Sequence, residues 1–161
     1  MPFIGTDAAR IMSLRDGRAK MSKSDPSEMS RINLTDSDDA IAQKIRKAKT
    51  DPEPLPADPA ELADRPEARN LVGIFAAVTG EPVEQVLARF EGQGFGAFKP
   101  VLADALVALL SPLRQRLVEL RSDPAQLDAI LDKGADRASS LAAPVVEDAY
   151  RAVGLSRNRH A

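Results

Sequence analysis

Two lysines and two serines lie within five residues near the start of the chain, and they are the side chains best suited to chemistry. They are Lys20, Ser22, Lys23 and Ser24, in the order Lys-Met-Ser-Lys-Ser, and residues 20–24 are called the KMSKS loop below. An ammonium group is a compact point charge on a flexible stem, suited to phosphate oxygens whose charge grows during a reaction. A serine hydroxyl can donate a hydrogen bond to the same oxygens. The pattern therefore predicts a polyphosphate-binding loop.

The residues on either side of the KMSKS loop bear on this interpretation. Gly17 lies before it and gives the backbone freedom to swing, whereas Pro26 lies after it and restricts that freedom. A short basic and serine-rich segment on its own is as often a solvated loop, because such motifs have false positives. The flanking residues are needed to choose between the two interpretations.

The wider segment resembles the end of the catalytic domain of class I aminoacyl-tRNA synthetases. It reads Ala-Arg-Ile-Met-Ser-Leu over residues 9–14, then Gly17, the KMSKS loop and Asp25-Pro26. Within that class it is most similar to the bacterial tryptophanyl enzymes. The tyrosyl enzymes are neighbours, but their loop usually has Gly or Phe where this chain has Met21-Ser22. The resemblance covers nearly all of the chain and about half of a family member.

This resemblance implies amino-acid activation, in which the carboxylate of tryptophan attacks the α-phosphate of ATP and no protein nucleophile is needed. Lys23 would be the main contact of the leaving pyrophosphate and Lys20 its helper. The Mg²⁺ ion would arrive with ATP as a substrate complex, with no metal site on the protein. The implied ATP-binding residues are Ile11, Lys20, Met21, Ser22, Lys23 and Ser24, where Ile11 and Met21 act through their backbone.

The predicted fold class is mainly α. Residues 10–14 form a short apolar run that indicates one strand, and no good partner strand follows in the sequence. We therefore interpret residues 1–32 as the end of a Rossmann-type catalytic domain that carries the KMSKS loop. Residues 33–161 are predicted to form an α-helical bundle, which resembles the anticodon-binding domain of the family.

The first predicted helix of this bundle opens at a capping box of Thr35 and Asp38 and runs to about Lys49. Lys44, Lys47 and Lys49 are candidate tRNA contacts, although a charge run of this kind more often forms a solvated face. Residues 51–66 contain five prolines and are predicted to be an extended, mobile connector.

Helical periodicity continues from residue 67 to the end. Gly80 and Gly92 are predicted to end two helices, and the glycine-rich residues 92–99 to form a turn, because no strand precedes them as a phosphate cradle requires. Two long helices follow, with apolar stripes that we interpret as core. The stripe residues are Phe98, Leu102, Leu106, Leu109, Leu113, Leu117 and Leu120, then Leu127, Ile130, Leu131, Ala138, Leu141, Val145 and Ala149.

Composition limits the remaining classes of protein. The 161 residues are 43% hydrophobic, include no cysteine and contain no apolar run that we expect to span a membrane. Residues 1–50 have ten Lys and Arg against seven Asp and Glu, a net charge of +3, although the whole chain is at −2. Positive charge is therefore concentrated around the KMSKS loop. We expect a cytoplasmic protein without a membrane or DNA partner, and a solvated His160.

By resemblance, the partners are tRNA(Trp), tryptophan and ATP, in a homodimer. The His-Ile-Gly-His-type motif and the amino-acid pocket of the family are not visible in this sequence, so we expect the chain alone to form no adenylate. Three alternatives stay open: a helical RNA-binding or interaction module without catalysis, a part of a tyrosyl-type synthetase, and a different nucleotidyl-transfer enzyme.

Overall fold

A computed structural model describes residues 10–155 of the chain, and helices are their main secondary structure. The five α-helices are α1 (Asp38–Arg46), α2 (Pro66–Thr79), α3 (Val83–Phe90), α4 (Phe95–Ser122) and α5 (Pro124–Ala152). Two short 3-10 helices, Glu28–Ser30 and Pro59–Leu62, precede α1 and α2. The mainly helical class predicted from the sequence is confirmed. His160, predicted to be solvated, lies outside the described residues.

The strand predicted at residues 10–14 is replaced by a single pair of residues. Within residues 10–155, β structure is limited to one antiparallel bridge between Met12 and Lys20. The apolar run identified extended backbone correctly, but a ladder needs further strands beside it, and the described residues supply none. The prediction of a strand is therefore corrected to an isolated bridge at the base of the KMSKS loop.

Helix α1 begins later and ends earlier than predicted. Ser37, not Thr35, is its N-cap, because the Ser37 Oγ accepts a hydrogen bond from the Ala40 N–H at 3.2 Å. The helix ends at Arg46 rather than near Lys49. Several Ser, Thr and Asp residues compete for the cap in this segment, and periodicity alone does not choose among them.

Helices α2 and α3 form as predicted and supply eight of the 19 buried hydrophobic residues of the core. The chain bends by 110° between them, where Gly80 adopts a left-handed conformation with φ of 75°. Three aromatic rings, those of Phe75, Phe90 and Phe98, pack with centroids 5.0 to 5.7 Å apart. Leu71 and Leu87 are buried beside them. These contacts fix α2 firmly in the core, so it can serve as a support for other segments.

The prediction of an extended, mobile connector at residues 51–66 is wrong. Leu55 and Leu62 are almost fully buried in the core, and the segment includes the 3-10 helix Pro59–Leu62. The Arg65 guanidinium donates to the Asp51 carboxylate at 2.5 Å and to the Pro54 carbonyl at 2.8 Å. Two isolated leucines in a proline-rich segment give no periodic signal, yet they anchor it to the helices.

The chain divides into two compact units, Met1–Arg114 and Gln115–Ala161. In the first unit the predicted stripe of α4 is buried at Phe98, Leu102 and Leu106, whereas Leu109 and Leu113 are about half exposed. In the second unit no residue of α5 is buried. The core role predicted for the stripe of α5 is therefore corrected, since periodicity identifies an apolar face and not what covers it.

One described helix is long and apolar enough to cross a membrane by length and composition alone, namely Phe95–Ser122. This differs from the expectation that no run would qualify. The core helix of a soluble protein passes the same test, and the first part of α4 is buried against the other helices through Phe98 and Leu102. That packing covers the first part of α4, whereas Leu109 and Leu113 further along the helix are about half exposed.

Candidate nucleotide-binding loop

The KMSKS loop rises from a short antiparallel pairing of backbone segments. Met12 and Lys20 face each other in the bridge. Backbone hydrogen bonds flank this pair on both sides, from the Ser13 N–H to the Ala19 carbonyl at 2.8 Å and from the Met21 N–H to the Ile11 carbonyl at 3.0 Å. The structure therefore brings together Ile11 and Met21, the two residues expected to present backbone to the nucleotide.

The side chains of the KMSKS loop divide into one that faces the core and four that face solvent. Met21 is half-buried against the core, whereas Lys20, Ser22, Lys23 and Ser24 are all exposed. The Ser22 Oγ accepts the Ser24 N–H at 3.2 Å, which leaves the Ser22 hydroxyl proton free to donate. Two ammonium groups and two hydroxyls are therefore available to an anionic ligand.

Gly17 is a close-packed residue and not the swinging hinge predicted from the sequence. It is buried against the start of α2, and a Cβ atom at this position would lie 2.5 Å from both the Pro66 C and the Glu67 N atoms. Such a distance is far inside van der Waals contact. The glycine is required because another backbone passes beside it, and the correction follows from contacts that the sequence does not show.

The first turn of α2 also holds the segment that leads into the KMSKS loop through charge. The Lys49 Nζ lies 2.8 Å from the Glu67 carboxylate, and the Lys49 N–H donates to the Leu14 carbonyl at 2.8 Å. The hydrogen bond from Lys49 holds the pKa of Glu67 below its ordinary value, and the backbone of Gly17 adds to this effect. Lys49 thus joins the end of α1, the start of α2 and the base of the loop.

Asn70 is a contributor that the sequence analysis missed. Its side chain is buried, accepts the Met12 N–H at 2.9 Å and donates to the Met12 carbonyl at 2.9 Å. The available signal was a polar residue within an apolar helical run, between Ala68 and Leu71. A buried asparagine in such a run needs hydrogen-bond partners, and here both are backbone groups of the loop base.

Arg31 fixes the segment that follows the KMSKS loop, and it too was missed. Its guanidinium is largely buried and donates to the Asp25 carbonyl at 2.8 Å, to the Asn33 Oδ1 at 3.2 Å and to the Glu28 carboxylate. The Asp25 carboxylate accepts the Ser27 N–H at 2.7 Å, which closes a turn directly after the loop. The loop is therefore anchored at both ends.

Lys44 is buried in an ion pair, which corrects its candidacy as a tRNA contact. Its Nζ lies 2.5 Å from the Asp36 carboxylate and 4.0 Å from that of Glu28, and its side chain is 7% exposed. Burial raises the pKa of Asp36, but hydrogen bonds from Lys44 and the Asn33 N–H outweigh it, so this pKa lies below its ordinary value. Lys44 stabilises the fold and is closed to an RNA phosphate.

The other candidate cations remain at the surface. Lys47 is the exposed C-cap residue of α1, and Arg46 beside it is also exposed. The Lys49 side chain is 60% exposed although it pairs with Glu67. These cations lie at the end of α1, where positive charge is also favoured by the helix dipole. No group of three metal-ligating side chains is found among residues 10–155.

The loop and its supporting helices can be compared with known proteins. Residues 3–111, well over half of the chain, match the family described as tRNA synthetases class I (W and Y). The chain therefore belongs to this family of class I synthetases, and the resemblance noted in its sequence is confirmed.

Within that family, the relatives with closely similar sequences are tryptophan–tRNA ligases. The protein of that name from Caulobacter vibrioides is 58% identical over 154 residues, which are 96% of this chain and 45% of the relative. The one from Rhizobium meliloti is 54% identical, over 96% of this chain and 44% of the relative. The chain thus spans less than half the length of these relatives.

Solved structures that are similar to this chain at lower sequence identity are also tryptophanyl-tRNA synthetases. The tryptophanyl-tRNA synthetase of Mycoplasma pneumoniae is 27% identical with a TM-score of 0.80, over 94% of this chain and 47% of that structure. The Campylobacter jejuni enzyme complexed with ADP and tryptophan is 26% identical with a TM-score of 0.62, over 94% of this chain and 45% of that structure.

Proposed function

We propose that this chain serves as the C-terminal part of a tryptophan–tRNA ligase and supplies the KMSKS loop for activation of tryptophan by MgATP. The observation that carries this proposal is the exposure of Lys20 and Lys23 on a loop whose base is fixed, in a chain of this family. Such an arrangement suits a reaction catalysed by positioning and by stabilising charge on a leaving pyrophosphate.

In this proposal the residues have separate roles. Lys23 is the main contact of the pyrophosphate and Lys20 assists it, while Ser22 and Ser24 donate to phosphate oxygens. The paired backbone at Ile11 and Met21 lies against the adenosine. The Mg²⁺ ion enters bound to ATP.

The rest of the proposal concerns the helices and the partners. Residues 33–161 would form the tRNA-binding part, which resembles the anticodon-binding domain, and residues 1–32 the end of the catalytic domain. The exposed Arg46, Lys47 and Lys49 are the proposed contacts of tRNA(Trp). The enzyme would act in the cytoplasm as a homodimer.

The proposal is tested with a chimeric enzyme. The part of the Caulobacter vibrioides relative that precedes the matched region is joined to the N-terminus of this chain. We expect tryptophan-dependent exchange of pyrophosphate into ATP by the chimera and none by the 161-residue chain alone. A folded chimera that exchanges no pyrophosphate would contradict the proposal.

A second candidate is a helical RNA-binding module without catalysis, favoured by the exposed cations at the end of α1. It is distinguished by the Lys23→Ala chimera. If this variant exchanges pyrophosphate as fast as the unmodified chimera, the loop has no role in activation and the RNA-binding candidate gains support.

A further inference from the structure

Asn70 of α2 binds the backbone of Met12 as a neighbouring strand would. The Met12 N–H donates to the Asn70 Oδ1 and the Asn70 Nδ2 donates to the Met12 carbonyl, both at 2.9 Å and between residues 58 apart in sequence. Met12 is also the residue that faces Lys20 in the bridge. The two hydrogen bonds across the bridge are made by Ser13 and Met21, so both polar backbone groups of Met12 point to Asn70.

The chemistry of a carboxamide suits this contact. It presents one acceptor and a donor in the same plane, as a peptide group does, and so it can satisfy both backbone groups of one residue. Asn70 is 8% exposed. Because the contact is partly buried, the removal of the amide would leave the Met12 N–H and carbonyl without these partners.

Asn70 acts together with the first turn of the same helix. Residues three apart lie on one face of an α-helix. Glu67 is three residues before Asn70, pairs with Lys49, and lies against Gly17 through its backbone. One face of α2 therefore touches both Met12 and Gly17 on the segment that leads into the KMSKS loop.

We propose that Asn70 is a positioning residue that couples α2 to the KMSKS loop. By binding the Met12 N–H and carbonyl, it fixes the position of the Met12–Lys20 pair. It thereby sets the direction in which the loop leaves the core. Its effect on catalysis rests on the proposed function, whereas its effect on the order of the loop does not. The two effects are therefore measured separately.

The first measurement is amide hydrogen exchange in the 161-residue chain. Asn70→Ala is expected to speed exchange at Ser13 and Met21 by about tenfold relative to the amide of Leu87 in α3, on the scale of one net hydrogen bond. Asn70→Asp, which can accept from Met12 but cannot donate to it, is expected to give an intermediate rate.

The control for this measurement is Val72→Ala. Val72 lies two residues further along the same helix and is fully buried, so its truncation weakens the core while the two hydrogen bonds between Asn70 and Met12 stay in place. In this variant, the exchange rates of the Ser13 and Met21 amides, divided by the rate of the Leu87 amide, should stay near their values in the unmodified chain. Equal ratios in Asn70→Ala and Val72→Ala would show that Asn70 only stabilises the fold, and the proposal would be overturned.

The second measurement is single-turnover adenylate formation by the chimeric enzyme at saturating ATP. Asn70→Ala is expected to slow this step by about tenfold or more, as misplacement of catalytic groups does, and Val72→Ala to leave it nearly unchanged. Lys23→Ala is measured beside them. If Lys23→Ala is slow and Asn70→Ala is not, the coupling proposed here is wrong. If Lys23→Ala has no effect, the proposed function fails, and the exchange ratios alone decide on Asn70.

Discussion

At the scale of single residues, the KMSKS loop has one side chain that anchors it to the core and polar side chains that are exposed to a ligand. Met21 packs against the core, while Lys20 and Lys23 on either side of it reach solvent. This alternation allows the ammonium groups to follow a ligand while the backbone between them stays in place. In the proposed reaction, a lysine so placed matters most when charge moves onto the leaving oxygens in the transition state.

The first prediction concerns the charge that develops on the leaving pyrophosphate. In the chimeric enzyme, Lys23→Ala should slow adenylate formation by about 2–4 kcal/mol, the scale for losing one preorganised donor. Lys23→Arg should not restore the full rate, because a planar fork follows a moving phosphate less well than a point charge. Lys20→Ala should cost less, and Ser13→Ala least, since Ser13 is buried outside the loop.

The measurement is single-turnover adenylate formation over a range of ATP concentrations. The Michaelis constant for tryptophan should change little in all four variants. If Lys23→Ala mainly raised the Michaelis constant for ATP and left the chemical step intact, Lys23 would be a binding residue without a transition-state role.

The second prediction separates the cations of α1. If exposed Lys47 contacts tRNA, Lys47→Ala in the chimera should reduce the slope of log affinity against log salt by about one, because one fewer counterion is displaced. Lys44→Met should leave that slope unchanged, since Lys44 is paired with Asp36, but should lower thermal stability. Affinity for tRNA(Trp) between low and moderate salt measures both. An unchanged slope in Lys47→Ala would assign Lys47 to the solvated surface.

At the scale of elements, α2 is the support on which the loop base rests. It contributes the close approach at Gly17, the ion pair of Glu67 and the amide of Asn70, all from its first five residues. The core contacts of Leu71 and Phe75 keep this helix in position. Helix and loop are thus one structural assembly although they are far apart in sequence.

The third prediction tests the close approach. Gly17→Ala should destabilise the chain by about 1–3 kcal/mol, the cost of forcing extra volume into a packed site, because its Cβ would meet the backbone of Pro66 and Glu67 at 2.5 Å. Gly73→Ala, within α2, is the matched control. A Cβ there meets nothing within 4 Å, so this change should stabilise by about 0.5–1 kcal/mol. Denaturant unfolding measures both, and equal effects would contradict the packing described for Gly17.

Local signals predicted the elements that depend on neighbours in sequence. The apolar stripe of α2 and its end at Gly80 follow from spacing and from a left-handed φ of 75° that glycine adopts readily. The KMSKS loop was likewise identified from five adjacent residues. The contacts that support the loop were not identified, because the partner of Met12 lies 58 residues away in sequence and those of Gly17 lie about 50 away.

At the scale of the whole molecule, charge and apolar surface are unevenly distributed. The first fifty residues are net positive although the chain is net negative, which concentrates attraction for anions near the KMSKS loop. The second unit exposes apolar residues of α5, including Leu131, Leu141 and Val145. Sequence periodicity predicted that these residues share a face, but burial depends on a covering surface, which is a property of the assembled molecule.

The last prediction concerns the response of the whole fold to acid. The pKa values of Asp36 and Glu67 are lower in the folded chain than their ordinary values of 3.8 and 4.5. The folded state therefore keeps these carboxylates charged at a pH where the unfolded chain is already protonated. Their contribution to stability is complete above the ordinary values and is lost as the pH falls through the lower, folded values.

Asp36→Asn isolates one of the two groups. It should lower the free energy of unfolding by about 1–3 kcal/mol at pH 7, because the buried Lys44 ammonium loses its carboxylate, and the difference from the unmodified chain should shrink toward zero below pH 3.8. Asp104→Asn, at an exposed site on α4, is the control and should be nearly neutral throughout. Urea unfolding from pH 7 to pH 3 gives these values. A difference that grew on acidification would mean that Asp36 is protonated in the folded chain and that the ion pair with Lys44 does not form.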